Sequence, residues 1–236
     1  MNGLEADLDG ARSVAAAVDA QPPAARIALC PPATLVWRMA DVLAGSTVAV
    51  GGQDCRPEPS GPFTGDLAAE MFADAGARFM ILGHSERRDG HGEDDALVAA
   101  KVAAALRAGL EPIVCVGESG DERAAGRALD VVTGQLACSL PDALQQCAFA
   151  VAYEPVWAIG SGRTPRIEEI EEMHFSIRAA LAERFGDRGR ETPILYGGSV
   201  KPANARAILA ADEVGGALVG GASLNAADFI AIFRAI

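Results

Sequence analysis

Short unbroken runs of apolar residues alternate along the chain with longer stretches in which apolar residues recur every three or four positions. The spaced pattern puts one stripe of a helix into a core, and the unbroken run is a strand covered on both faces. Leu8, Ala11, Val14, Ala15 and Val18 predict an opening helix over 5–20. Arg26 to Cys30 predicts a strand that ends at Pro31-Pro32. A helix from Thr34 to Ala44, closed by Gly45, leads to a strand over 47–50. The loop from Gly51 to Thr64 is long and rich in proline and glycine. Helix 65–75, strand 79–82, helix 94–108, strand 112–116 and helix 121–138 follow. A strand from Phe149 carries the chain to Glu154; helix 167–185 ends at Gly186 and is followed by strand 193–196. Pro202 opens a helix at its first turn, and strand 217–219 and helix 226–235 close the pattern.

Strands alternating with amphipathic helices make a parallel sheet covered by helices. At about 30 residues per unit, the closed eightfold barrel of strands and helices ranks first. An open doubly wound sheet ranks second, since no G-x-G-x-x-G follows a strand. The pattern is a single domain over 1–236 with seven strands and eight helices, and it opens on a helix.

The chain of 236 residues carries a net charge of −12. That balance argues against nucleic acid or an anionic membrane as partner. It also means that an anionic substrate needs local donors working against an unfavourable field. Cys30, Cys55, Cys115, Cys138 and Cys147 are scattered and form no C-x-x-C. They read as reduced, mostly buried thiols of a cytoplasmic protein. No apolar run reaches the length of a membrane span, and the first residues lack the basic and apolar parts of a secretory signal.

Chemistry in such a barrel gathers where the strands end. Glu154 stands at one exit, and Pro155 stops the strand because it lacks the ladder N–H. The stretch up to Gly160 and Gly162 can then swing as a flap. A base beside a mobile flap suits proton transfer under exclusion of water; the plain alternative is an exposed loop glutamate. Another exit reads Gly83-His84-Ser85-Glu86-Arg87-Arg88. A helix start there disfavours imidazolium, so His84 is expected neutral and able to donate one N–H. For Arg87 and Arg88 a solvated ion-pair cluster is expected. The last two exits, Tyr196-Gly197-Gly198-Ser199 and Val219-Gly220-Gly221, pair glycines with helix starts. Such backbone gathers peptide N–H groups on a phosphate, and neutral donors answer the charge problem.

Taken together, these segments resemble the triosephosphate isomerase family over nearly the whole chain. The most specific strings are Ile81 to Arg88, Ala152 to Gly162, Tyr196 to Ser199 and Leu218 to Ser223. The resemblance implies a (βα)8 TIM barrel that isomerises dihydroxyacetone phosphate and glyceraldehyde 3-phosphate through an enediolate. It assigns the base to Glu154, the neutral electrophile to His84, and phosphate binding to Gly160, Ser199, Gly220 and Gly221. Ser85 and Glu86 support the site, and Val156 to about Thr164 is the lid. The loop Asp54–Thr64 becomes an interdigitating dimer loop with Thr64 reaching the neighbour, which implies a homodimer without cofactor or metal. Arg163 stands where the flap of the family usually has lysine.

One departure matters. The family begins with a strand ending in Asn-x-Lys, followed by Met-Asn-Gly, and this chain begins at Met1-Asn2-Gly3. The first strand and the catalytic lysine are therefore expected to be missing from it. The two lysines present are Lys101, expected on a surface helix, and Lys201, at a helix start. A buried strand of about six side chains contributes about 1.5–3 kcal/mol for each. The expectation is an upstream frame that encodes the strand; the alternative is a barrel relic that grips phosphate esters without isomerising them.

Overall fold

Seven parallel strands form one curled sheet in which each strand bonds to the next in sequence. They are β1 (Ala28–Leu29), β2 (Ala49–Gly52), β3 (Phe79–Leu82), β4 (Glu111–Val116), β5 (Ala150–Tyr153), β6 (Ile194–Tyr196) and β7 (Gly216–Ala217). The computed structural model describes residues 2–159 and 163–235. Each of the seven predicted strands is present. Side chains alternate across the sheet as strand geometry requires. Phe79, Ile81, Ile113, Cys115, Ala150 and Ala152 form the inner cluster. Their neighbours Met80, Leu82, Val114, Val116, Val151 and Tyr153 join the larger core under the helices.

Ten α-helices occur among the described residues: α1 (Leu8–Ala20), α2 (Val36–Val42), α3 (Ala69–Asp74), α4 (Ser85–His91), α5 (Asp95–Arg107), α6 (Gly120–Ala124), α7 (Ala128–Ser139), α8 (Ile167–Glu191), α9 (Pro202–Leu209) and α10 (Ala226–Phe233). The pattern predicted eight. The first extra helix, α4, is a polar turn after β3 with no apolar stripe to announce it. The second arises because Gly126, at φ 71°, divides the 121–138 segment. At Gly186 the helical geometry does break, with φ 55° and ψ −128°, but a further helical stretch resumes at once. α1 packs against α10, so the two ends of the sheet are drawn together on the outside. No described strand pairs with the outer edge of β1 or β7.

Lys101 corrects its expected place on the surface. It is 4% exposed, and its Nζ lies 2.7 Å from Asp54 Oδ1 and 2.6 Å from Glu93 Oε1. Arg87 Nε joins the same two carboxylates at 2.9 and 2.6 Å. Two cations balance two anions, which lets a lysine sit on the packed face of α5.

Candidate active site

Glu154 follows directly on β5, where the alternation turns it to the inner face. Its carboxylate is almost wholly buried. Two glycines wall it in. A Cβ added to Gly117, past the end of β4, would stand 1.8 Å from Glu154 O, and one added to Gly197, past β6, would stand 2.8 Å from Glu154 Cγ. Only glycine lets these three strand exits converge so closely. Ser85 N donates to Glu154 Oε2 at 2.9 Å. His84 Nε2 lies 2.8 Å from Oε1, although Oε1 has no well-aligned donor. Below the pair, burial pushes the Cys115 thiol well up, and the Glu154 charge adds to this, so the thiol stays protonated.

His84 reaches this spot because Gly83, at φ 69°, turns the chain out of strand geometry. It then caps α4: Glu86 N donates to its Nδ1 at 3.2 Å. An accepting Nδ1 places the proton of a neutral ring on Nε2, which faces Glu154. Burial draws the His84 pKa down, but the Glu154 hydrogen bond and charge, with Glu86 adding, draw it up by more. The net direction is upward for as long as Glu154 stays beside it. The helix start therefore favours the expected neutral ring, and the carboxylate opposes it.

The arginines of this segment are not a solvated cluster. Arg88 donates to Gly83 O at 2.8 Å, to Cys115 O at 3.2 Å and to Asp95 at 2.7 Å, so it ties the exits of β3 and β4 to α5. Arg87 belongs to the buried quartet with Lys101. Glu86 is exposed; its backbone N–H is given to His84 and its charge adds to the upward pull on that ring.

Sequence reasoning missed Glu118, which is fully buried beyond β4. Its Oε1 accepts from Tyr153 OH at 3.1 Å, Trp157 Nε1 at 2.9 Å and Arg123 Nη1 at 3.1 Å. The Arg123 guanidinium also lies 4.9 Å from the centre of the Trp157 ring and bonds Glu169 at 3.0 Å. One carboxylate thus holds the start of the flap to the barrel. Its only signal in the sequence was its place two residues after a predicted strand.

Ser199 is half-buried beyond β6, and its carbonyl accepts from Asn204 Nδ2 at 3.0 Å. Gly220 and Gly221 are exposed beyond β7, at the start of a short 3-10 turn. A Cβ on either would meet nothing within 4 Å. Because the sheet is parallel throughout, these exits share one rim with His84 and Glu154. Gly160 lies outside the described residues. Thr64 is exposed on its loop. Lys201 is the exposed N-cap residue of α9. Among the described residues no cluster of His, Cys, Asp and Glu is arranged to hold a metal ion.

The family model described as Triosephosphate isomerase matches residues 2–236. The chain is similar to triosephosphate isomerase of Caulobacter vibrioides, 59% identical over 100% of this chain and 93% of the relative. It is 55% identical to that of Hyphomonas neptunium over 99% of this chain and 94% of the relative. Among solved structures, triosephosphate isomerase from Bartonella henselae superposes with a TM-score of 0.92 at 44% identity, covering 100% of this chain and 94% of that one.

Proposed function

Because the chain belongs to the triosephosphate isomerase family, we propose that Glu154 and His84 are the groups through which it works. The enzyme interconverts dihydroxyacetone phosphate and glyceraldehyde 3-phosphate, a step of glycolysis and gluconeogenesis. Glu154 takes a proton from the carbon beside the substrate carbonyl and returns it to the neighbouring carbon. His84 donates its Nε2 proton as a hydrogen bond to the oxygen on which negative charge develops. Burial around Glu154 keeps that charge poorly screened and the donor effective. The observation that carries this assignment is the 2.8 Å approach of His84 Nε2 to Glu154 Oε1 at the exits of β3 and β5.

The phosphate sits on peptide N–H groups of Ser199, Gly220 and Gly221, and the family resemblance adds Gly160 to these donors. The free space beside Gly220 and Gly221 supports this, since a phosphate needs bare backbone within hydrogen-bond reach. Ser85 holds the carboxylate from behind through its backbone N–H. Among the described residues no helix is long and apolar enough to cross a membrane. The five cysteines are free, in keeping with a cytoplasmic protein. The loop ending at exposed Thr64 is offered to a second copy, so the working form is a homodimer that needs no cofactor.

The test is turnover of glyceraldehyde 3-phosphate by the purified chain, coupled to reduction of the product, beside Glu154→Gln and His84→Gln. Loss of turnover in both variants with inorganic phosphate still binding supports the assignment. Undiminished turnover in either removes that residue from the mechanism.

A further inference from the structure

Backbone pairing between the β4 and β5 segments runs past the ends of both strands: Glu154 N donates to Val116 O at 2.8 Å and Val156 N to Glu118 O at 3.2 Å. The Gly117 peptide between these two bonds has no backbone partner among the described residues. A side chain from α7 takes that place. Gln135 Oε1 accepts from Gly117 N at 2.7 Å, and Gln135 Nε2 donates to Gly117 O at 3.1 Å. The amide imitates one further rung and satisfies both groups of the peptide.

Gly117 is in turn the wall beneath Glu154, packed so closely that even a methyl group would overlap the Glu154 carbonyl. The opposite wall, Gly197, needs no such help. Its N–H donates to Tyr153 O at 2.7 Å, in continuation of the β5–β6 ladder. One wall of the base is therefore bonded directly into the sheet, and the peptide of the other, between two backbone bonds, is satisfied by an amide reaching in from an outer helix. We propose that Gln135 is a positioning residue for Glu154: it clamps the Gly117 peptide and so fixes the wall that aims the carboxylate toward His84. The proposal rests on the reading of Glu154 as the base. It adds a residue of the outer ring, which does not touch the reacting atoms, to the machinery of proton transfer.

Gln135→Met keeps the length of the side chain and loses both hydrogen bonds. Gln135→Glu can still accept from Gly117 N–H but cannot donate to its carbonyl. The readout is the pH titration of the His84 imidazole, followed by NMR on the full chain, because Glu154 and Glu86 are the charges that act on this ring. Glu154→Gln sets the reference by removing the nearer charge and lowering the His84 pKa. In Gln135→Met the titration is expected to move at least half of the way to that reference. Turnover is expected to fall about tenfold, with KM and phosphate affinity held within about twofold, as a misaimed base requires. Gln135→Glu should fall between Met and wild type, and it carries the same comparison if the Met variant does not fold. A folded variant with lowered thermal stability but an unmoved His84 titration and full turnover overturns the proposal. Wild-type protein without isomerase activity would instead sink the functional reading, and the titration would still decide the place of Gln135.

Discussion

His84 Nε2 and Glu154 Oε1 stand 2.8 Å apart, with the whole of β4 between the strands that carry them. The contact joins the proposed hydrogen-bond donor to the proposed base, and in that role Glu154 must turn from it to reach carbon. The length of the carboxylate arm therefore matters. Glu154→Asp withdraws the oxygens by one methylene and is expected to cut kcat about a hundredfold or more. Inorganic phosphate, held by other strand exits, should inhibit the variant as well as the parent. Comparable losses in turnover and phosphate affinity would make Glu154 a structural residue.

Gly117→Ala and Gly197→Ala test the two walls. The first sets a methyl group 1.8 Å from Glu154 O, and the second sets one 2.8 Å from Glu154 Cγ. Backbone cannot give way as easily as a side chain, so Gly117→Ala should cost more, about 3 kcal/mol or beyond on the scale of core overpacking. Chemical unfolding beside steady-state kinetics would check the order. Equal stability of the two variants would contradict it.

Trp157→Phe removes one of three donors from the buried Glu118 carboxylate. Such a loss costs about 1–3 kcal/mol locally and loosens the root of the flap. The expected result is more inorganic phosphate released per turnover, because water reaches the enediolate. An unchanged ratio of phosphate to isomerised product would remove Trp157 from the role of flap anchor.

Lys101→Met leaves Asp54 and Glu93 with Arg87 as the one remaining cation of the quartet. The expected loss is roughly 3–5 kcal/mol, read by chemical unfolding. Burial already pushes the Asp54 carboxyl upward against the pull of Lys101, so without the lysine it should take up a proton readily. The destabilisation should therefore shrink as the pH is lowered. A deficit independent of pH would mean that the lysine acts by packing alone.

His174 supplies a pH dependence of known sign. It is fully buried, and its Nδ1 faces Glu213 O at 3.1 Å, so the neutral ring carries its proton there. Burial pushes its pKa down from 6.5 to about 4. The unfolded chain thus binds the extra proton between these values, and the native state does not. Stability from this residue is complete above about pH 6.5 and drains away toward pH 4, by roughly 3 kcal/mol in all. His174→Asn keeps a donor near Glu213 and should flatten that slope. The raised His84 works in the opposite sense. Its contribution is full below the ordinary histidine pKa and is lost as the pH rises through the folded value.

Strands β2 to β6 were legible because they are largely covered on both faces and so read as unbroken apolar runs, and the half-buried β1 and β7 lie within apolar runs of their own. His84 and Glu154 were legible because each directly follows such a run and because their surrounding strings resemble one family. What escaped was whatever depends on partners distant in sequence. α4 is made of Ser, Glu, Arg, Asp, Gly and His, and it is held by its capping histidine and by Arg88 rather than by an apolar stripe. Lys101 looked like a surface cation because nothing local discloses Asp54, 47 positions away. Glu118 and Gln135 looked like ordinary polar residues of a loop and a helix. Glu118 matters as the carboxylate on which three donors meet, and Gln135 as the amide that satisfies one peptide.

The sheet is uneven in a way that sets how it opens. β4 has six residues and β3 and β5 four each, whereas β1 and β7 have two each and bond on one side among the described strands. Amide protons in the middle should therefore exchange with solvent only when the whole molecule unfolds, and those of the flanking strands through cheap local fluctuations. The proposed catalytic pair springs from the slow-exchanging middle, while Gly220 and Gly221 follow the short margin. On that assignment the reacting groups stand on the most durable part of the scaffold, and the proposed anion grip on the part most ready to breathe.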